Sequence, residues 1–141
     1  MVLDPITNGL QFTQVLMDGG SDINLLYQDT IRRMGIDPNK IHRSSTSFKG
    51  VTPGLYANCT GSVLLEVVFG SSDNFRREKL IFHIAPFKNS HQALLGREAF
   101  ARFNAIPHYA SLTLKMPGPR GIISLRGNSE CSSTTENVRL P

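Results

Sequence analysis

Asp18 stands in the stretch VLMDGGSDINLL (residues 15–26), between two apolar runs and directly ahead of Gly19, Gly20 and Ser21. An apolar strand ending in Asp-Gly-Gly-Ser presents a carboxylate on a tight turn, where glycine permits close approaches that a Cβ would forbid. Several chemistries share that arrangement. A strand-turn-helix with glycines can cradle phosphate at a helix N-terminus, but the sequence contains neither G-x-x-x-x-G-K-[ST] nor G-x-G-x-x-G. GGSDI falls one residue short of the nucleophile elbow G-x-S-x-G, because Ile23 takes the last position, and no His or acid follows in a helpful order. His42, His83, His91 and His108 are scattered without ligand spacing, so no metal site is expected.

The elements that must carry Asp18 follow from periodicity. The dominant period is two: QFTQVLMD (11–18), GSVLLEVVFG (61–70), EKLIFHIAP (78–86), SLTLKMP (111–117) and GIISLRG (121–127) are short, rich in large apolar and β-branched residues, and bounded by Gly, Pro, Ser or Asn. Two stretches read as short helices instead. LYQDTIRRMG (26–35) places Leu26, Thr30, Ile31 and Met34 on one stripe, with Gly35 and Pro38 as its stop, and GREAFARF (96–103) sets Phe100 and Phe103 three apart. GSSDNFRR (70–77) reads as a hairpin connection, and Pro117-Gly118-Pro119 as the turn of a later hairpin.

The 141 residues suit one domain with a single core. Cys59 and Cys131 form no metal-ligand spacing and no disulfide framework, which favours free thiols in a reducing compartment. NCT (58–60) matches a glycosylation acceptor that lacks a secretory context. No apolar run approaches the roughly 20 residues that span a bilayer, and the first residues lack a basic region followed by an apolar one. The net charge of +4 comes from dispersed Lys and Arg, the densest group being Arg76, Arg77 and Lys79, and this dispersal argues against nucleic-acid binding.

Far along the chain, QALLGREAF (92–100) sets two large apolar residues and a Gly-Arg at the opening of a helix. Paired with the Asp18 turn, it resembles the retropepsin-like aspartic proteases, and closer still the protease segment of plant gypsy-type LTR retrotransposon polyproteins. The series VLMDGGS, FKGVTPG (48–54) and ALLGREAFARFNAIPHYASLTLKMPGPRGIIS (93–124) carries the likeness to about residue 127. It implies an all-β fold with two short helices: a retropepsin-like closed β-barrel that is one half of a two-fold acid protease. Residues 10–106 would form the protease protomer, 107–127 a terminal β-hairpin leading toward reverse transcriptase in such polyproteins, and 128–141 a polar, disordered tail.

The same resemblance assigns roles. Asp18 would be catalytic, in an active-site turn of Gly19, Gly20 and Ser21, with Ser21 holding an outer oxygen of the acid. Asp22, Phe48, Gly50 and Val51 would bind substrate, Asp22 also pairing with Arg97, and the FKGVTPG segment would form a flap over it. Leu94, Leu95, Gly96 and Arg97 would support the site. Only one such turn is present, so a homodimer would be required, cutting an extended peptide or polyprotein with no cofactor and no membrane, inside the cell, in the cytoplasm or within virus-like particles. The alternative is a protease fold that has lost catalysis and serves as an interaction module. One position departs from the pattern: retroviral turns read Asp-Thr-Gly or Asp-Ser-Gly, with a hydroxyl that bonds across the two-fold, whereas Gly19 has no side chain.

Overall fold

The computed structural model describes residues 1–43, 47–49 and 56–129, with only the backbone of 47–49 and 56–58. In chain order the strands are β1 (Val2–Leu3), β2 (Ile6–Thr7), β3 (Leu10–Gln11), β4 (Val15–Met17) and β5 (Asn24–Tyr27), followed by helix α1 (Gln28–Met34). Then come β6 (Ser47–Lys49), β7 (Tyr56–Asn58), β8 (Gly61–Gly70), β9 (Phe75–Ala85), β10 (Ala93–Leu95), helix α2 (Arg97–Phe103), β11 (Ile106–His108), β12 (Thr113–Gly118) and β13 (Gly121–Arg126). Gly35 ends α1 in the left-handed conformation.

The long hairpin β8–β9 follows its alternation. Val63, Leu65, Val67 and Phe69 point inward with Leu80, Phe82 and Ile84, while Leu64 and Ile81 pair on the outer face. The hairpin belongs to a strongly curled eight-stranded sheet of order β1-β4-β10-β5-β9-β8-β2-β3. At its centre β5 and β10 are buried at every position, so their sequences, NLLY and ALL, show an apolar run in place of alternation. Most pairings are antiparallel, but β10 runs parallel to β4 and β5 parallel to β9.

The larger of two buried apolar clusters among the described residues fills the curl, the smaller being Leu25, Tyr27, Cys59, Ala85 and Leu94. The larger joins Leu3, Val15, Met17, Leu26 and Leu95 to Phe103 of α2 and to Leu114, Met116 and Ile123 of a second sheet, β11-β12-β13. Residues 107–127 thus share the core of the main sheet. The sheet also begins ahead of residue 10, since Val2 and Leu3 are buried and pair with β4. Asn128 is tied to Val2 by two backbone hydrogen bonds, and the tail from residue 130 lies outside the described residues.

Two local expectations need correction. The strand expected over 11–18 is broken, because the amides of Thr13 and Gln14 donate to the Gln92 side chain at 2.7 and 2.9 Å instead of to a neighbouring strand. Pro117 sits inside β12, and the hairpin tip is Pro119-Arg120, between the paired Gly118 and Gly121. β11 has ended at the Ile106–Lys115 pair, so the edge of β12 at Pro117, which lacks an N–H, meets no strand there, and the Pro117 carbonyl accepts from Arg76 instead.

Candidate active site

β4 ends at Met17, and the backbone N–H of Asp18 donates to the carbonyl of Leu95 on the parallel strand β10 at 2.9 Å. That bond fixes where the carboxylate leaves the sheet. The chain then turns: the Ser21 N–H donates to the Asp18 carbonyl at 3.1 Å, and the Gly20 N–H to Asp18 Oδ1 at 2.9 Å. Asp18 itself is half-buried, with Gly20 exposed beside it. The Ser21 hydroxyl does not hold the acid as expected. It donates to the Ile23 carbonyl at 2.8 Å, closing its own loop, and the acid's oxygen is held by the Gly20 amide.

The far side of the turn is closed by the start of α2. Arg97 N–H donates to the Ser21 carbonyl at 2.9 Å, and Arg97 Nη2 forms an ion pair with Asp22 Oδ1. Both side chains are largely exposed, so this pair contributes little to stability and leaves Asp22 open to solvent. Gly96 lies so close to the turn that a Cβ there would stand 2.6 Å from the carbonyl oxygens of both Ser21 and Ile23. Only glycine fits. Leu94 and Leu95 are buried in β10, with Leu95 paired to Met17.

Several contributors escaped the sequence reading. Asn24, buried in β5, accepts from the Gly96 N–H at 2.9 Å and donates to the Ile81 carbonyl and to Glu98 Oε1, joining β5, β9 and α2 behind the turn. Its signal was a polar residue within an otherwise apolar run. Tyr27, also buried, has its phenol pushed up to about 12, first by burial and then by the charge of Asp18. Over Gly19 lie Phe100 and Tyr109: a Cβ there would meet Phe100 Cε2 at 3.3 Å and the Tyr109 hydroxyl at 3.8 Å.

Phe48 lies in β6, which pairs antiparallel with β7 as a hairpin; Gly50 and Val51, the other expected flap residues, lie outside the described residues. Among the described residues no group of three His, Cys, Asp or Glu is placed to hold a metal ion.

The fold that carries this turn is similar to those of several solved structures. The retroviral protease-like domain of Ddi1 from Leishmania major superposes with a TM-score of 0.59 at 13% identity, over 92% of this chain and 96% of that one. The fold is retropepsin-like. EIAV protease in complex with the inhibitor HBY-793 gives a TM-score of 0.57 at 18% identity, over 77% of this chain and 91% of that one. A retropepsin-like aspartic protease from Rickettsia conorii gives 0.56 at 16%, over 87% and 79%. No protein-family model and no curated protein matches the sequence. The retropepsin-like fold accounts for the mainly β architecture with two short helices and for the curled half-barrel sheet.

Proposed function

We propose that this chain is one protomer of an aspartic endopeptidase that cuts peptide bonds in the polyprotein of a plant gypsy-type retrotransposon. The observation that carries this reading is Asp18 itself: one carboxylate, set at the end of β4 on a turn held by Leu95 and Gly20, in a retropepsin-like fold. Peptide hydrolysis in such a fold needs two facing carboxylates, and the sequence has a single Asp-x-Gly turn. A second copy related by a two-fold axis supplies the other.

In that dimer the two Asp18 side chains share one proton, the well-known behaviour of aspartic-protease dyads, because like charges so close do not both ionise. The ionised carboxylate draws a proton from a water held between them, and that water attacks the scissile carbonyl. The protonated one donates to the carbonyl oxygen. The tetrahedral adduct then collapses as the first carboxyl passes the water's proton to the amide nitrogen, the C–N bond breaks, and the second carboxyl takes its proton back from the oxygen. Asp22, exposed beside the turn, and Phe48, Gly50 and Val51 of the FKGVTPG segment hold an extended substrate, whose main chain adds as a strand. No cofactor enters the reaction. The work is done inside the cell, in the cytoplasm or within virus-like particles, consistent with a free, buried Cys59.

The densest basic stretch is partly taken up within the chain, which argues against a phosphate footprint there: Arg76 donates to the carbonyls of Arg102, Phe103 and Pro117 and to Glu78, and Arg77 lies beside Glu66. Asp18→Asn should abolish cleavage of a polyprotein-derived peptide while leaving thermal unfolding intact. Unchanged turnover in that variant would remove the aspartic-protease reading and favour the interaction module.

A further inference from the structure

We infer that the Tyr109 hydroxyl takes the place of the side-chain hydroxyl missing at position 19, and joins the Asp18 turns of two copies across their two-fold axis. The inference rests on the homodimer reading and assigns a positioning residue to it.

Backbone conformation does not explain glycine at this position, because Gly19 is absent from the described glycines with positive φ. The space beside it is narrow but not closed: the Phe100 ring edge stands 3.3 Å from where a Cβ would be and must give by a few tenths of an ångström, and the Tyr109 hydroxyl stands 3.8 Å from the same point, an ordinary contact. Two separate elements deliver these groups: Phe100 comes from the middle of α2, and Tyr109 from the 3₁₀ turn Tyr109–Ser111 that follows β11. A left-handed Asn104 (φ 50) ends α2 and sends the chain back toward the turn. The Tyr109 hydroxyl therefore lies against the face of Gly19 from which a Ser or Thr side chain would project. A phenol both donates and accepts, so the exchange retains the hydrogen-bonding capacity of the turn.

Tyr109 is 53% exposed, and Ile106 on the outer strand β11 is 63% exposed. A second copy is the occupant that fits, because on the homodimer reading the Asp18 site beside Tyr109 is incomplete without one.

The dimer dissociation constant, measured by sedimentation equilibrium without substrate, tests this. Tyr109→Phe should raise it at least about tenfold, the effect of losing two symmetric hydrogen bonds. Adding Gly19→Ser to that variant should recover most of the loss, because the hydroxyl returns to the turn itself. Gly19→Ser alone should gain less than it does in the Tyr109→Phe background. An unchanged constant in Tyr109→Phe overturns the inference; so does a loss that Gly19→Ser leaves unrecovered, which would assign Tyr109 to packing. A wild-type chain that stays monomeric at every concentration overturns both this inference and the homodimer. An Asp18→Asn protein that still cleaves, with the tyrosine effect present, sinks the protease chemistry alone.

Discussion

At the scale of single residues, the site is set by what cannot be larger. A Cβ at position 96 would stand 2.6 Å from two backbone carbonyl oxygens, and backbone yields far less readily than a side chain. Gly96→Ala should cost about 1–3 kcal/mol by overpacking, read as a lower urea midpoint. It should also lower kcat/KM beyond what stability explains, because Ser21 and Ile23 must move and they close the Asp18 turn; a fully active, equally stable variant would show that the contact relaxes freely. Asp18 and the Asp22–Arg97 neighbourhood were legible in the sequence because short motifs name them. Phe100 and Tyr109 were not. Their place over Gly19 depends on how α2 and the chain after β11 fold back, and no local pattern records that. The Ser21 hydroxyl went elsewhere for a local reason: the Ile23 carbonyl and amide lie within its own loop and take it up.

At the scale of elements, alternation revealed β8, β9, β12 and β13, whose faces differ in exposure, and missed β1, β2 and β11, which are two or three residues long and too short to show a period. Their existence is decided by partners. The C-terminal end of α2 depends on such a partner as well. The Arg76 guanidinium, mostly buried, donates to the Arg102 and Phe103 carbonyls at 2.9 Å and lies 5.6 Å from the Phe103 ring centroid, while also reaching Pro117. One side chain on β9 thus satisfies helix-end carbonyls and anchors β12. Arg76→Met keeps much of the aliphatic volume but removes those donors, and should destabilise by about 1–3 kcal/mol in equilibrium unfolding. A loss within error would mean that water satisfies those carbonyls equally well.

At the scale of the whole molecule, burial of Tyr27 links stability to alkaline pH. The unfolded phenol ionises near its ordinary 10, whereas in the folded chain burial, helped by the Asp18 charge, pushes it up to about 12. Between those values the unfolded state has released the proton and the folded state has kept it, so unfolding becomes easier as pH rises through that window, by about 1.4 kcal/mol per unit. The contribution is fully present below pH 10. Denaturant titrations from pH 9 to 12 should show this slope, and Tyr27→Phe should flatten it; an equal slope in both proteins would place the alkaline loss elsewhere.

The parallel pairing of β4 with β10 carries a consequence for the order of assembly. Residues 15–17 meet residues 93–95, so the bond from the Asp18 amide to Leu95 closes only after the intervening chain has found its place, and such distant pairings are late and slow to form. Helices and the β8–β9 hairpin draw on near neighbours and need not wait. A nascent or partly folded chain therefore holds its acid on a loose segment, with no oriented carboxylate. Under the proposed protease reading, cutting would be deferred until the sheet is complete, a delay that would protect a self-cleaving precursor while it is still folding.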